Sequence, residues 1–294
     1  MTTRRGKTEV GAGMPRTLLM GVLNITPDSF SDGGDHDDVD GALAHAQQLI
    51  DAGADIIDIG GESTRPGAVP VAPEAEQRRI LPVLEKLLEK RLDLDVRLSV
   101  DTRHPSTARA ALQLAGEQAE ELIINDVSGL ITDPQMPQVV AEYGCEVVIT
   151  HNRGDSTTMQ QLTDYDDDVT GTVIEELTQI RQSYLDAGVD CEKIILDPGI
   201  GFAKTHQQNW ELIGGLDRVL GLGHRVLFGV SRKGFLGALL ADEQGPRPAA
   251  QRDSATAALS FHAARAGCWA VRVHSVAPNR DAVRAAAAIG SAAH

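Results

Sequence analysis

Polar or charged side chains stand at the end of nearly every short apolar run in this chain. These end residues are Asn24, Asp58, Asp101, Asn125, Asp197, Ser231 with Lys233, and Arg272 with His274. Taken singly, an Asp or Asn after an apolar run is typical of a helix cap or a turn. Because the pattern recurs at run after run, it favours side chains that converge on one functional site.

Two of these residues are carboxylates that suit a flat heterocycle. One carboxylate can accept two parallel hydrogen bonds from adjacent N–H groups, and an amide adds a donor and an acceptor. Asp101 and Asp197, joined by the amide of Asn125, therefore indicate a heterocycle site. Metal binding is the alternative, although the sequence contains no zinc-type spacing such as HxxEH. A hard cation such as Mg²⁺, held mostly by substrate oxygens, stays open.

The stretch AVRVHS at 270–275 adds two cationic groups to this set. Side chains two apart on a strand share a face, so Arg272 and His274 point to one side and the intervening valines to the other. A cation at a barrel mouth needs an anionic partner. That partner is either a phosphate-bearing ligand, which barrels commonly bind beside their last two strands, or a neighbouring carboxylate.

The sequence gives little support for a nucleophile triad of the kind used in covalent catalysis. It has no GxSxG motif, and none of the three cysteines lies beside an obvious base. We expect His104, His151 and His206 to be helix caps or packing residues, because each lies near a predicted strand or helix end. The chemistry is therefore predicted to proceed without a covalent enzyme intermediate.

Two Gly-rich polar loops follow the first two apolar runs, at 25–37 and 60–68. Both are too long for tight connections between a strand and a helix. One interpretation is a pair of mobile loops that close over a site and exclude water. The alternative is an ordinary surface connection or a disordered surface excursion.

These residues need a scaffold, and the chain alternates short Val/Ile/Leu-rich runs with longer amphipathic stretches. The predicted strands are 17–24, 54–59, 95–101, 121–125, 145–151, 193–197, 225–231 and 269–274. The predicted helices are 38–52, 73–91, 105–116, 134–143, 168–188, 206–216, 253–266 and 278–290. This alternation predicts an α/β protein, a single (β/α)8 TIM barrel, whose strand ends meet at one rim. A doubly wound sheet is the alternative, but neither GxGxxG nor GxxxxGKS/T follows the first strand.

Length and charge narrow the class of protein further. We expect a tail at 1–16 and one barrel domain at 17–294. The net charge of −15 disfavours binding to nucleic acid or to an anionic membrane. The tail has no apolar core of a signal peptide, and no apolar run is long enough to span a bilayer. Three widely spaced cysteines fit a reducing compartment, so a soluble cytoplasmic protein is predicted.

Seven stretches, in order along the chain, resemble one known family. They are MGVLNITPDSFSDGG (20–34), DIIDIGGESTRPGA (55–68), SVDT (99–102), IINDVSG (123–129), LDPGIGFAKT (196–205), GVSRKGFLG (229–237) and VRVH (271–274). The family is dihydropteroate synthase, a transferase of folate biosynthesis built on a TIM barrel. It condenses a dihydropterin methyl diphosphate with 4-aminobenzoate, also called p-aminobenzoate, and releases diphosphate. The resemblance spans about residues 18–276 and implies the same activity here.

The resemblance also implies a role for individual residues. A pterin pocket would use Asp101, Asn125, Asp197 and Lys233, with Val127 and Phe202 packed around the ring. Diphosphate would be held by Asn24, Arg272 and His274, with Asn24 acting through Mg²⁺. The p-aminobenzoate site would comprise Thr64, Arg65, Pro66, Phe30, Lys233 and Gly234. The catalytic set would be Asp101, Asp197, Lys233, Arg272 and His274, with Phe30 and Asp32 from the first loop.

The family also implies inhibition by sulfonamides and a homodimer. Alternatives from other classes are a noncatalytic pterin-binding relative and a methyltransferase that uses methyltetrahydrofolate. This chain departs from the family at Thr150 and Asn152, where many relatives have Met around the His, and at Gly234, where many have Ser. We expect these positions to alter the shape of the pterin pocket and the strength of sulfonamide binding.

Overall fold

A computed structural model describes residues 16–26, 35–63, 67–165 and 167–292, apart from the side chains of 35–37 and 91–93. Eight parallel strands form a closed barrel in the order β1 to β8, which confirms the predicted (β/α)8 fold. The strands are β1 (Leu18–Asn24), β2 (Ile56–Gly60), β3 (Arg97–Asp101), β4 (Ile123–Asp126), β5 (Glu146–Thr150), β6 (Ile194–Asp197), β7 (Arg225–Phe228) and β8 (Ala270–Val273). Each follows the predicted run to within a few residues at either end, and the largest difference is that β7 stops at Phe228 instead of residue 231.

Helices follow the strands and cover the outside of the barrel. They are α1 (Asp35–Asp51), α2 (Pro73–Leu94), α3 (Pro105–Ala115), α4 (Gln135–Tyr143), α5 (Val169–Asp186), α6 (His206–Gly214), α7 (Leu216–Leu220), α8 (Gly234–Leu239), α9 (Asp253–Ala266) and α10 (Val276–Ser291). The predicted helix 206–216 is wrong at its end, because the helix stops at Gly214 and a short second helix follows Gly215. The short helix α8 was not predicted.

Local sequence explains several of the helix ends. Thr205 and Gln208 form a reciprocal capping box at the start of α6. The side chain of Asp168 accepts a hydrogen bond from the Gly171 N–H and caps α5. Gly144 ends α4 in the left-handed conformation that glycine adopts most readily. The described helices include none that is long and apolar enough to cross a membrane.

Alternation along the strands divides the barrel interior into layers. A middle layer is apolar and contains Met20, Ile56, Ile123, Val148, Ile195, Leu227 and Ala270. Two residues further along six of these strands stand Asp58, Asn125, Thr150, Asp197, Gly229 and Arg272. We call this set, with Asp101, the upper layer. Because side chains two apart on a strand share a face, the upper layer also faces the barrel interior. It comes later along the strands than the middle layer, so it lies toward their carboxyl ends, where TIM barrels carry their active sites.

The opposite end of the barrel is closed by charged and aromatic side chains. Glu146 accepts a hydrogen bond from Arg225 at 2.7 Å and also pairs with Arg97. Both guanidinium groups lie over the Trp269 ring, at 5.4 and 6.0 Å from its centroid. Arg16, the last residue of the predicted tail, pairs with Asp55 at 2.6 Å. These contacts stabilise the barrel at the amino ends of its strands. The rim at the carboxyl ends is the one that carries active sites in TIM barrels.

The backbone beside the upper layer tolerates only glycine at position 199. Gly199 has a φ of +66°, and a Cβ there would lie 1.8 Å from the carbonyl oxygen of His151. We expect Gly199→Ala to lower the free energy of unfolding by about 3 kcal/mol or more, because backbone strain and overlap act together. Gly144→Ala is the matched control, since Gly144 has a φ of +60° and an added methyl group there would meet no atom within 4 Å. Urea unfolding should show a loss of only about 1 kcal/mol for that control, and equal losses would contradict the steric argument.

Candidate active site

The upper layer brings together the polar residues that the sequence places at the ends of distant runs. Asp101 pairs in register with Asn125 across β3 and β4. Thr150 pairs with Asp197 across β5 and β6. Arg272 pairs with Met20 across β8 and β1. All of the carboxylates in this layer are buried, so a ligand entering the rim meets charge that water scarcely reaches.

Arg272 lies between two carboxylates. Its Nε donates to Oδ2 of Asp58 at 2.6 Å, and its Nη2 donates to Oδ2 of Asp101 at 2.6 Å. The sequence left two kinds of partner open for this cation, a phosphate-bearing ligand or a neighbouring carboxylate. In the structure its partners are two carboxylates. The interaction holds the guanidinium plane across the mouth of the barrel, where its remaining N–H groups can face an anion.

Asp58 converges with the other polar residues as predicted, but it lies deeper along its strand than the sequence indicates. The sequence predicts it near the end of a strand running to residue 59, whereas β2 continues to Gly60 and Asp58 is its central residue, fully buried. The amide of Asn125 donates to Asp58 at 3.2 Å, so the expectation that it joins Asp101 to Asp197 is wrong. The two-residue spacing from Ile56 was the signal that Asp58 faces inward.

Burial sets the electrostatics of these carboxyl groups. Burial raises the pKa of Asp101 to about 8, and Arg272 opposes that rise. Burial also raises the pKa of Asp197, with Lys233 opposing. Although burial disfavours its charge, the carboxylates of Asp58 and Asp101 raise the pKa of Arg272. The site is thus a set of carboxyl groups whose ionised forms depend on cationic neighbours.

Lys233 stands at the start of α8, facing Asp197 and the loop after β6. Its Nζ donates to the carbonyl oxygen of Ile200 and lies 4.3 Å from the centroid of the Phe202 ring. Burial lowers the pKa of Lys233 to about 8, and Asp197 opposes that change. Gly234 is the exposed first residue of α8, so its backbone N–H lies at a helix start.

Asn24 and His274 lie at the ends of two neighbouring strands. Asn24 is the half-buried last residue of β1, and His274 directly follows β8. The Nδ1 atom of His274 lies 3.0 Å from the Ser231 hydroxyl. These two residues therefore stand on the side of the rim where Arg272 also lies.

A pocket beside the upper layer is lined by residues that follow several strand ends. Val127 and Phe202 line it together with Asn152, Ser63 and Arg103. Asn152 donates from its amide to the carbonyl oxygen of Val127 at 3.3 Å, so this departure from the family supports the pocket wall. Thr150 is buried in the upper layer, and its hydroxyl has no partner in the described part of the chain.

The second long loop is tied to the barrel at both of its described ends. Arg103 donates to the Glu62 carboxylate at 3.0 and 3.1 Å. After the undescribed residues, the Gly67 N–H donates to the carbonyl oxygen of Ser156 at 2.8 Å. The ends of this loop therefore stand over the pocket. Five predicted site residues, Phe30, Asp32, Thr64, Arg65 and Pro66, lie outside the described residues.

The histidines expected to be caps or packing residues differ in position. His206 begins α6, and His104 precedes α3 with its Nε2 at 3.1 Å from the carbonyl oxygen of Val71. His151 is fully buried, as a packing residue would be, and it also bonds to Lys204 and Glu176. Sequence reasoning missed this network, because its members are separated along the chain.

Known proteins are similar to this chain in sequence and in structure. Residues 20–274 match the family described as pterin binding enzyme. The chain is 46% identical over 265 residues to a dihydropteroate synthase of Streptococcus pyogenes serotype M6, covering 90% of this chain and 92% of that protein.

Two crystal structures have the same fold. The Clostridium difficile dihydropteroate synthase, determined in the presence of pteroic acid, has a TM-score of 0.83 and 40% identity, covering 93% of this chain and 97% of that chain. The Yersinia pestis dihydropteroate synthase, in a sulfonamide drug complex, has a TM-score of 0.83 and 36% identity, covering 94% and 95%. The chain therefore belongs to the pterin-binding enzyme family, among its dihydropteroate synthases.

Proposed function

We propose that the barrel rim binds a dihydropterin methyl diphosphate and 4-aminobenzoate, and joins them into 7,8-dihydropteroate with release of diphosphate. The observation that carries this proposal is the set of buried, unpartnered oxygen atoms in the upper layer. In the described part of the chain these are Oδ1 of Asp58, Oδ1 of Asn125 and Oγ1 of Thr150. Unpartnered buried acceptors are costly, and the N–H groups of a bound heterocycle would satisfy them.

The pterin ring fits the polarity of this layer. Asp197 has one carboxylate oxygen bonded to the Gly199 N–H at 2.8 Å, which orients the group. A carboxylate in this position can accept hydrogen bonds from the aminopyrimidine edge of the ring. Asn125 can accept from a further ring N–H through its free oxygen, while Val127 and Phe202 pack near the ring faces.

The diphosphate would lie toward Asn24, Arg272 and His274. Arg272 presents a planar fork that suits phosphate oxygens. No three His, Cys, Asp or Glu side chains among the described residues form a metal cluster. The amide oxygen of Asn24 is a hard donor that suits Mg²⁺. The ion would be held mainly by substrate oxygens, with Asn24 as its protein ligand. The ion would neutralise charge on the leaving diphosphate.

The reaction breaks the bond between the pterin methylene and diphosphate and forms a bond from that carbon to the amine nitrogen. As diphosphate departs, positive charge develops on the methylene and the conjugated ring. In their ionised forms, Asp101 and Asp197 stabilise that charge, while Arg272 and His274 stabilise the departing anion. The amine of 4-aminobenzoate is already a nucleophile, and its proton leaves to solvent. No general base is needed, which agrees with a sequence that has neither a GxSxG motif nor a cysteine beside an obvious base.

The proposal is tested by following diphosphate release from the purified chain. Release should require the pterin diphosphate, 4-aminobenzoate and Mg²⁺ together. A chain that binds the pterin but releases no diphosphate when 4-aminobenzoate is added would be a noncatalytic relative instead. Methyl transfer from methyltetrahydrofolate would indicate the other alternative, which has no use for Arg272 and His274 as diphosphate ligands.

The charge of Lys233 gives the activity a pH limit. Its pKa of about 8 means that the ammonium form exists below about pH 8 and is lost as the pH rises. We expect kcat/KM for the pterin substrate to fall above about pH 8, because this parameter reports groups of the free enzyme. In Lys233→Arg, whose guanidinium keeps its proton, this alkaline fall should disappear. An unchanged alkaline limb in that variant would assign it to another group.

Three further properties stay predictions. Sulfonamides should compete with 4-aminobenzoate, which is supported by the drug complex of the Yersinia pestis relative. A homodimer is implied by the resemblance and can be checked by light scattering. A cytoplasmic location is supported by three free thiols at Cys145, Cys191 and Cys268.

A further inference from the structure

A row of three ionisable side chains, two buried and one partly exposed, lies behind the upper layer, and the reaction scheme above does not use it. Nζ of Lys204 lies 2.8 Å from Nδ1 of His151. Nε2 of His151 lies 2.7 Å from Oε2 of Glu176. Lys204 is 2% exposed and His151 is fully buried, so every proton in the row must have a partner.

The hydrogen bonds determine where those protons are. A carboxylate at Glu176 accepts, so Nε2 of His151 carries a proton, and in a neutral ring Nδ1 is then the acceptor. Lys204 then donates to Nδ1, to the carbonyl oxygen of Gly199 at 3.0 Å and to that of Phe202 at 3.1 Å. Three acceptors require three N–H groups, which only the ammonium form of lysine supplies.

Neighbouring groups support this arrangement. Arg153 donates to the Glu176 carboxylate at 2.6 Å and lies over the Tyr165 ring, 3.7 Å from its centroid. Burial and the Lys204 charge lower the pKa of His151 to about 4. Although burial opposes the carboxylate charge, His151 and Arg153 lower the pKa of Glu176 to about 2. Burial and the charge of Lys233 lower the pKa of Lys204 well below its ordinary value, whereas hydrogen bonds to three acceptors favour its ammonium form.

The two carbonyl groups held by Lys204 belong to the loop that carries Phe202. This loop has an unusual backbone, with positive φ angles at Gly199 (+66°), Gly201 (+88°) and Ala203 (+47°). The Gly201 N–H donates to the side chain of Asn209 at 2.5 Å. Glycine adopts a positive φ without strain, but Ala203 does not, and such a position keeps its conformation only where surrounding groups hold it. The ammonium of Lys204 supplies two of those bonds from inside the barrel wall.

We propose that Lys204 is a positioning residue for pterin binding, which acts through Phe202 by holding the carbonyl groups of residues 199 and 202. His151 relays the Glu176 charge to the ammonium group. This inference rests on the proposed function, because it assumes that a pterin packs near Phe202. It adds a second lysine to the site, since Lys233 holds the intervening carbonyl group of Ile200 from the rim side.

A double-mutant cycle tests whether Lys204 acts through Phe202. The probe is 6-hydroxymethylpterin monophosphate, and its Kd is measured by calorimetry for Lys204→Met, Phe202→Ala and the double variant. We expect Lys204→Met to weaken binding about tenfold or more, because three buried acceptors lose their donor. In the double variant, binding should stay within about twofold of the weaker single variant, because residues in one unit are not additive. Lys90→Met, at an exposed position on α2, is the matched control and should bind as the wild type does.

The outcomes separate this inference from the proposed function. Wild-type protein that neither binds the probe nor releases diphosphate would overturn the proposed function. Wild-type binding with unchanged affinity in Lys204→Met, or with fully additive losses in the cycle, would overturn only the role of Lys204. Circular dichroism checks that each variant is folded.

A measurement on the wild-type protein remains decisive if Lys204→Met does not fold. Nitrogen-15 NMR of the histidine rings should show His151 as the neutral form protonated at Nε2, with its signal assigned by its loss in His151→Gln. Because the pKa of His151 is about 4, this form should persist from about pH 8 to about pH 5.5. A proton on Nδ1, or titration near the ordinary histidine pKa, would overturn the proposed proton arrangement.

Discussion

Arg272→Ala is expected to lower kcat by about 10²- to 10³-fold, the usual cost of losing a group that stabilises developing negative charge. The wild-type guanidinium is held across the rim by Asp58 and Asp101, each at 2.6 Å, so it needs no rearrangement as diphosphate departs. The measurement is diphosphate release under saturating substrates. Wild-type turnover in this variant would remove Arg272 from the mechanism.

The same substitution is also expected to destabilise the fold, because it leaves two buried carboxyl groups without their cation. Breaking such a buried pair costs about 3–5 kcal/mol, so rates must be referred to the folded fraction. Arg272→Lys is the matched control, since it keeps the charge and loses the planar fork. It should recover most of the stability but little of the rate. Equal recovery of both would mean that charge alone, without the orientation set by Asp58, explains the role of Arg272.

Asp197→Asn is expected to weaken pterin binding by about 2–5 kcal/mol, the cost of spoiling a buried, charge-assisted hydrogen-bonded pair. The amide keeps one oxygen, which can still accept from the Gly199 N–H, so the loop after β6 should be preserved. Its NH₂ group would face the donor edge of the pterin, however, and two donors repel. Calorimetry with 6-hydroxymethylpterin monophosphate measures the change directly.

Asp217→Asn serves as the control for that variant, because Asp217 is an exposed aspartate on α7, away from the upper layer. It should bind the probe with unchanged affinity. If Asp197→Asn also binds normally, the carboxylate does not contact the ring, and the orientation proposed for the pterin is wrong.

Much of the architecture could be predicted from the sequence, because its signals are local. Alternating apolar runs and amphipathic stretches indicate the strands and helices, and their order predicts the barrel. A barrel of parallel strands places all strand ends at one rim, so Asp101, Asn125, Asp197 and Arg272 could be expected to converge. The motifs around them indicate the family from the sequence alone.

The partners within that rim could not be predicted in the same way. Arg272 and Asp58 are 214 positions apart, and their contact depends on the register and closure of the whole barrel. Asn125 donates to Asp58 for the same reason, rather than linking the two carboxylates that sequence spacing suggested. A shift of one residue in register would turn each of these side chains to the other face.

The sequence by itself determined the order of the strands, the inventory of polar residues at their ends and the family. Only the tertiary structure decided that Arg272 is held by Asp58 and Asp101, and that the buried Lys204 and His151 form a row with Glu176 behind the site. The physical reason is burial. A lysine is mostly exposed in proteins, and a histidine is intermediate in burial. Only packing that removes water forces each of their protons to find a particular partner.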